Sequence, residues 1–239
     1  MIIAFLWGLL AASSLLLGDI SATYLKIPKR VLGLIIAFGV GVLISAVSFE
    51  LVENAFLSTN RGWSVAGGLL AGALVFFVGD VVIERMGGRH HRKGKQGPGL
   101  AILLGTILDG IPESIVLGLT LVRGGSISIA MLVAVFLSNL PEAIGATAGL
   151  RSIGWRRNRT LGLWLIVTVI SGLAALAGYA FFDTASPDVL AFTMAFAAGA
   201  LLTMLADSMM PEAYRDSGRL GGLITTLGFG LAYFITALK

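Results

Sequence analysis

The 239-residue chain has no cysteine, only two histidines and six prolines, and only 13% of its residues are charged. The missing cysteine excludes a disulfide framework, a thiolate metal centre and a thiol nucleophile. The shortage of charge excludes an ordinary water-soluble domain, where about a quarter of residues carry charge. Enzyme signatures are missing too. No His-Glu-x-x-His, Gly-x-Ser-x-Gly or Gly-x-x-x-x-Gly-Lys-Ser/Thr run occurs, so zinc hydrolysis, a nucleophile elbow and a nucleotide-phosphate cradle are unsupported. Asp109 and Asp207 are the two aspartates that an aspartyl dyad would need, but neither follows a Gly-x-Gly run. The chain is read as a non-enzyme with no bound cofactor.

What the chain has is apolar length. Fifty-six per cent of residues are hydrophobic and 32 are glycine, with a mean hydropathy of +0.93. Charge-free runs cover 2–17, 31–49, 62–79, 160–182, 189–206 and 220–238. Two further spans, 99–122 and 126–150, are apolar except for Asp109, Glu113 and Glu142. At about 20 residues per crossing, these predict an all-α membrane protein of eight transmembrane helices in one domain, 1–239. The runs are continuous rather than alternating, which excludes barrel strands. The many small residues suit close helix contacts in lipid.

Fourteen of the seventeen basic residues fall in the 1–2, 3–4, 5–6 and 7–8 connections, leaving Arg61, Arg123 and Lys239 on the other side. By the positive-inside rule those connections are cytoplasmic and both termini lie outside, in a multi-pass protein of the cell membrane. The net charge of +4 is therefore topological, and no nucleic-acid partner is expected. The first span lacks a basic leader and is read as a retained helix. The longest break, 84–98, reads as a cytoplasmic loop holding His90 and His91. That pair is either part of a solvated basic loop or a transient metal-collecting site.

The informative residues are the buried acids. Asp109-Gly110-Ile111-Pro112-Glu113 and Asn139-Leu140-Pro141-Glu142 interrupt the fourth and fifth spans, and a third Pro-Glu pair, Pro211-Glu212, follows in the seventh. A carboxylate inside the bilayer costs several kcal/mol and marks a function by default. Each proline also frees a backbone carbonyl one turn earlier, near Leu108 and Leu137. Asp109 and Glu113 share a helix face at i, i+4, and Asn139 and Glu142 share one at i, i+3. No Lys or Arg lies in either span, so a bound cation, a shared proton or water must satisfy the acids. The candidate metal ligands are Asp109, Glu113, Asn139 and Glu142. Protonated carboxyls acting as polar contacts between helices are the competing reading.

Glu50, Glu53 and Asn54 form a second polar face at the outer end of span two, either an entry vestibule or a polar helix end. Asp207, Met209, Met210 and Glu212 close span seven, as an exit pathway or an ordinary terminus. Asp19 and Asp80 sit near helix ends, where boundary solvation would account for them.

Eight spans, an outward N-terminus, a His-bearing loop and Pro-Glu signatures on spans four and five resemble the ZIP (Zrt/Irt-like) metal transporters. Ala198-Gly199-Ala200 and Met210-Pro211-Glu212-Ala213 extend the likeness to span seven. The resemblance implies divalent-metal movement toward the cytoplasm through a binuclear-type site between spans four and five. It also implies an elevator-like motion between helix bundles and a possible homodimer. The family's His-Asn-x-Pro-Glu-Gly signature reads here Asp109-Gly110-Ile111-Pro112-Glu113-Ser114, with Glu113 kept. Span six offers Ser171-Gly172-Leu173-Ala174-Ala175 without an added acid, and the common span-seven histidine falls at Asp207. One metal position is thus retained and the second has lost donors. The remaining donors are oxygens, which shifts the expected cargo from Zn²⁺ toward Mn²⁺ or Fe²⁺, with Cd²⁺ also a candidate. The runner-up is a non-transporting membrane protein of the same fold, serving as a structural element or a pH or metal sensor.

Overall fold

The computed structural model describes residues 1–25, 27–59, 62–85, 110–122 and 128–238. Among the described residues, seven helices are long and apolar enough to cross a membrane: α1 (Ile2–Tyr24), α2 (Lys29–Ser58), α3 (Gly62–Arg85), α5 (Ile129–Ser152), α6 (Arg157–Phe182), α7 (Pro187–Ser217) and α8 (Leu220–Ala237). A shorter apolar helix, α4 (Gly110–Leu119), stands fourth in order. The rest of the fourth expected span, including Asp109, lies outside the described residues, as do His90 and His91. The described chain is all-helical, a multi-pass membrane protein.

Helix ends follow local chemistry. The Ser128 and Ser186 hydroxyls cap α5 and α7 by accepting from the Met131 and Val189 amides. Pro187 opens α7 at a position where its missing N–H costs nothing. Gly218, at φ +64°, lets the chain turn from α7 into α8.

Two packing groups emerge. Helix α1 packs along α5 and α6, and Gly118 of α4 lies against the Ala175 backbone of α6. In the other group α2 packs along α8, and α3 along α7. Helix α2 also touches α5 and the end of α7, so it borders both groups.

The second group contains a repeat. Setting Val47 against Leu205 puts Phe38 on Phe196, Gly41 on Gly199, Leu43 on Leu201 and Ala55 on Ala213. Both registered positions open a π-helical turn, Val47–Glu53 in α2 and Leu205–Met209 in α7. A Cβ on Gly41 would strike the Thr225 carbonyl of α8, and one on Gly199 the Leu69 carbonyl of α3. The start of α2 meets the end of α7, so the two equivalent helices run antiparallel. This is an inverted repeat of the kind that builds many carriers. Pro211 explains the π turn in α7: it has no N–H, and its ring crowds the carbonyl four residues back, so the turn widens. The equivalent position in α2 is Glu53, and nothing local accounts for the turn there.

Asp19 corrects the sequence expectation. It is 1% exposed, and Thr147 of α5 donates to its Oδ1 at 3.0 Å. Trp164 Nε1 of α6 donates to the same threonine oxygen at 2.7 Å. Boundary water is therefore not its partner. The helices' contact, not the sequence position, sets its surroundings. The chain Trp164 to Thr147 to Asp19 ties three helices with every donor directed the same way. Thr147→Val removes both bonds at nearly constant volume and should cost about 1–3 kcal/mol. Thermal unfolding in detergent would measure the loss, which Thr147→Ser should largely avoid. Asp80 is also buried, at 7% exposure.

Candidate metal site

Helices α4, α5 and α7 bring three carboxylates, Glu113, Glu142 and Glu212, to the wall of one cavity of about 60 Å³. Glu113 sits in the first turns of α4 and is 2% exposed. Glu142 follows Pro141 in mid-α5, where the proline leaves the Leu137 carbonyl without its helical donor. Both Pro141 and Ser138 share the wall with the acids, and Ile36 of α2 closes one side.

Ser138 was not singled out from the sequence, although it lies four residues before Glu142 on the same helix face. Its hydroxyl stands 3.0 Å and 3.2 Å from the two Glu113 oxygens, and 3.0 Å from the Val135 carbonyl. One hydroxyl proton cannot serve all three. Against an ionised Glu113 it donates to the carboxylate; against a protonated one it donates to the Val135 carbonyl while its oxygen accepts a hydrogen bond from the acid's O–H. The serine thus accommodates both protonation states without leaving a buried polar atom unmatched.

Helix α7 supplies the remaining wall through Met204, Ser208, Met209 and Glu212. Its π turn brings them together: Met210 N–H donates to the Leu205 carbonyl five residues back. Glu212 lies toward the exposed end and pairs with Arg215 at 3.4 Å, both side chains about half exposed.

Other expected residues are placed differently. Asn139 is buried, at 3% exposure, but does not line the cavity. Asp207 is partly buried in the π turn and also lies off the wall. Glu50 and Glu53 do not share a face. Glu50 is buried with Thr236 of α8 donating to it at 3.2 Å, while Glu53 is exposed. The π register, not the α register, governs their directions. Among the described residues, no three of His, Cys, Asp and Glu stand close enough to form a metal cluster by themselves.

The fold and its acid-walled cavity define a multi-pass membrane protein with a polar site enclosed between helices. No family model matches the chain. Over 218 residues, 89% of this chain, it is 25% identical to a protein of Arabidopsis thaliana named "Putative zinc transporter". The chain spans 35% of that relative's length. The resemblance to ZIP transporters drawn from the Pro-Glu signatures is supported by that match.

Proposed function

We propose that the chain is a ZIP-like carrier of divalent metal ions, with eight spans in one domain and the site between α4, α5 and α7. The observation that carries this reading is the convergence of Glu113, Glu142 and Glu212 on one cavity, with no basic side chain among the described residues of its wall. The zinc named for the similar plant protein makes Zn²⁺ the first cargo to test, ahead of Mn²⁺, Fe²⁺ and Cd²⁺. In this proposal Asp109, Glu113, Asn139 and Glu142 hold the ion. Glu50 and Glu53 draw it in from outside, and Asp207 and Glu212 pass it to the cytoplasm.

An elevator-like motion would slide the α1, α4, α5, α6 group against the α2, α3, α7, α8 group. An apolar cleft of about 270 Å³, bordered by Pro112, Phe182, Phe192 and Phe196, lies along that seam and offers few polar contacts to break. In this proposal both termini lie outside the cell membrane, as the positive-inside rule applied to the basic connections would have it, and the carrier works as a homodimer.

The test is uptake of a panel of divalent metals into liposomes carrying the purified protein, with Glu113→Gln as control. Carboxylates must lose protons to bind metal, so uptake should decline as pH falls. A rate that rises on acidification would count against carboxylate ligation. The competing reading, carboxyls as structural contacts, is favoured by one observation, the Ser138 hydroxyl lying close to both oxygens of Glu113. That reading requires wild type and Glu113→Gln alike to move no metal.

A further inference from the structure

The α7 wall carries two methionines, Met204 and Met209, that a search for acids overlooks. In an α-helix, residues five apart point roughly 140° away from each other. In the π turn, whose hydrogen bonds run from i to i+5, they stand nearly above one another. That register puts Met209 on the same wall as Met204, Ser208 and Glu212, facing the cavity that Glu113 and Glu142 also border.

Both methionines also touch the hydrophobic core, so packing alone is the competing explanation. Met204 is 2% exposed and belongs to that core, while Met209 packs only against its edge. A residue needed only to fill space there could be any aliphatic. A thioether beside carboxylates adds a soft, polarisable donor to an otherwise hard oxygen set.

We propose that Met209, backed by Met204, is a specificity-determining wall that biases the site toward soft ions such as Cd²⁺ and Zn²⁺ over Mn²⁺ and Mg²⁺. This rests on the metal-carrier reading and reverses the selectivity expected from the oxygen ligands alone. The carboxylates supply charge and the sulfur supplies preference. Soft-ion preference therefore survives the absence of imidazole and thiolate from the described cavity.

The chain's lack of cysteine makes the test clean, because protein sulfur at a bound metal can come only from its seven methionines. The experiment compares wild type, Met209→Leu and Glu113→Gln, purified without thiol reductants. Dissociation constants for Cd²⁺ and Mn²⁺ are measured by titration calorimetry, and sulfur neighbours by X-ray absorption at bound cadmium. Met209→Leu keeps the volume, and its unfolding temperature without metal checks that it is folded.

The expected result is about tenfold weaker Cd²⁺ binding in Met209→Leu, with Mn²⁺ binding unchanged and the cadmium–sulfur signal lost or reduced. Equal losses for both metals would assign Met209 to packing and overturn the proposal. So would unchanged Cd²⁺ binding in Met209→Leu alongside loss in Glu113→Gln, which would leave the carrier site itself standing. No binding of either metal by wild type would instead remove the metal reading on which the proposal rests.

Discussion

Liposomes carrying Glu113→Gln should take up divalent metal at least about 100-fold more slowly than wild type, since groups merely supporting ligands already cost 10–100-fold. The substitution keeps the size but turns one acceptor oxygen into an NH2 donor and removes the most buried carboxyl at the cavity. Ser138 can still bond the amide, so the helix α4–α5 contact should persist. Without metal, the variant's unfolding temperature should equal or exceed that of wild type, because an acid inside the bilayer is held there at a cost. Metal at about 100 times its dissociation constant should stabilise wild type by about 2.7 kcal/mol and leave the variant unmoved. Uptake at the wild-type rate by a folded variant would sink the carrier model.

Gly199→Ala should destabilise the folded protein by about 3 kcal/mol, near the upper range for overpacking. The new methyl would run into the Leu69 backbone carbonyl rather than a side chain, so no rotamer change can relieve it. Helices α3 and α7 would have to part. Gly41→Ala should behave alike, because it meets the Thr225 carbonyl at the equivalent place in the repeat. Gly230 in α8 has open space around the same position, and its alanine variant should be neutral or slightly stabilising. Detergent unfolding of the three variants separates steric cost from helix propensity. Similar stabilities for Gly199→Ala and Gly230→Ala would mean the helix pairs are not in such close contact.

The spans could be read from the sequence because apolar length is a one-dimensional property that the bilayer enforces. Glu113, Glu142 and Glu212 stood out for a related reason: isolated acids beside prolines are conspicuous in an apolar run. The partners of those acids were harder to see. Ser138, Ser208 and Met204 are ordinary membrane-helix residues, and only the meeting of helices gives them a role, while Met209 was visible only as part of the polar end of span seven. Spacing offered a partial clue, since Met204, Ser208 and Glu212 recur every fourth residue and Ser138 precedes Glu142 by four.

Glu50 and Glu53 show where helical counting fails. An i, i+3 pair shares a face only if the helix stays α, and here the turn is π. Pro211 hinted at such a turn in α7, whereas α2 carried no matching signal. The repeat is legible in the shared Phe, Gly and Leu spacing of 38–43 and 196–201, a weaker signal than the Pro-Glu pairs because such residues are common in membrane helices. Asp19 looked like a boundary residue because sequence distance from a helix end says nothing about which neighbour covers it.

A π turn is in effect an α-helix carrying one surplus residue, and this makes α7 sensitive to insertions and deletions in an unusual way. Deleting one residue between Leu205 and Met209 would leave a continuous, apolar, ordinary α-helix, free of any misplaced polar group. Everything after the deletion would keep nearly its present facing toward α2 and α5, because four residues of α-helix turn through nearly the same angle as five residues of a π turn. Removing one residue from the regular helix before Leu205 is different: it would swing Glu212 away from the cavity by roughly 100° without mutating it. The consequence of a length change of one in α7 therefore depends on whether it falls inside the π turn or outside it.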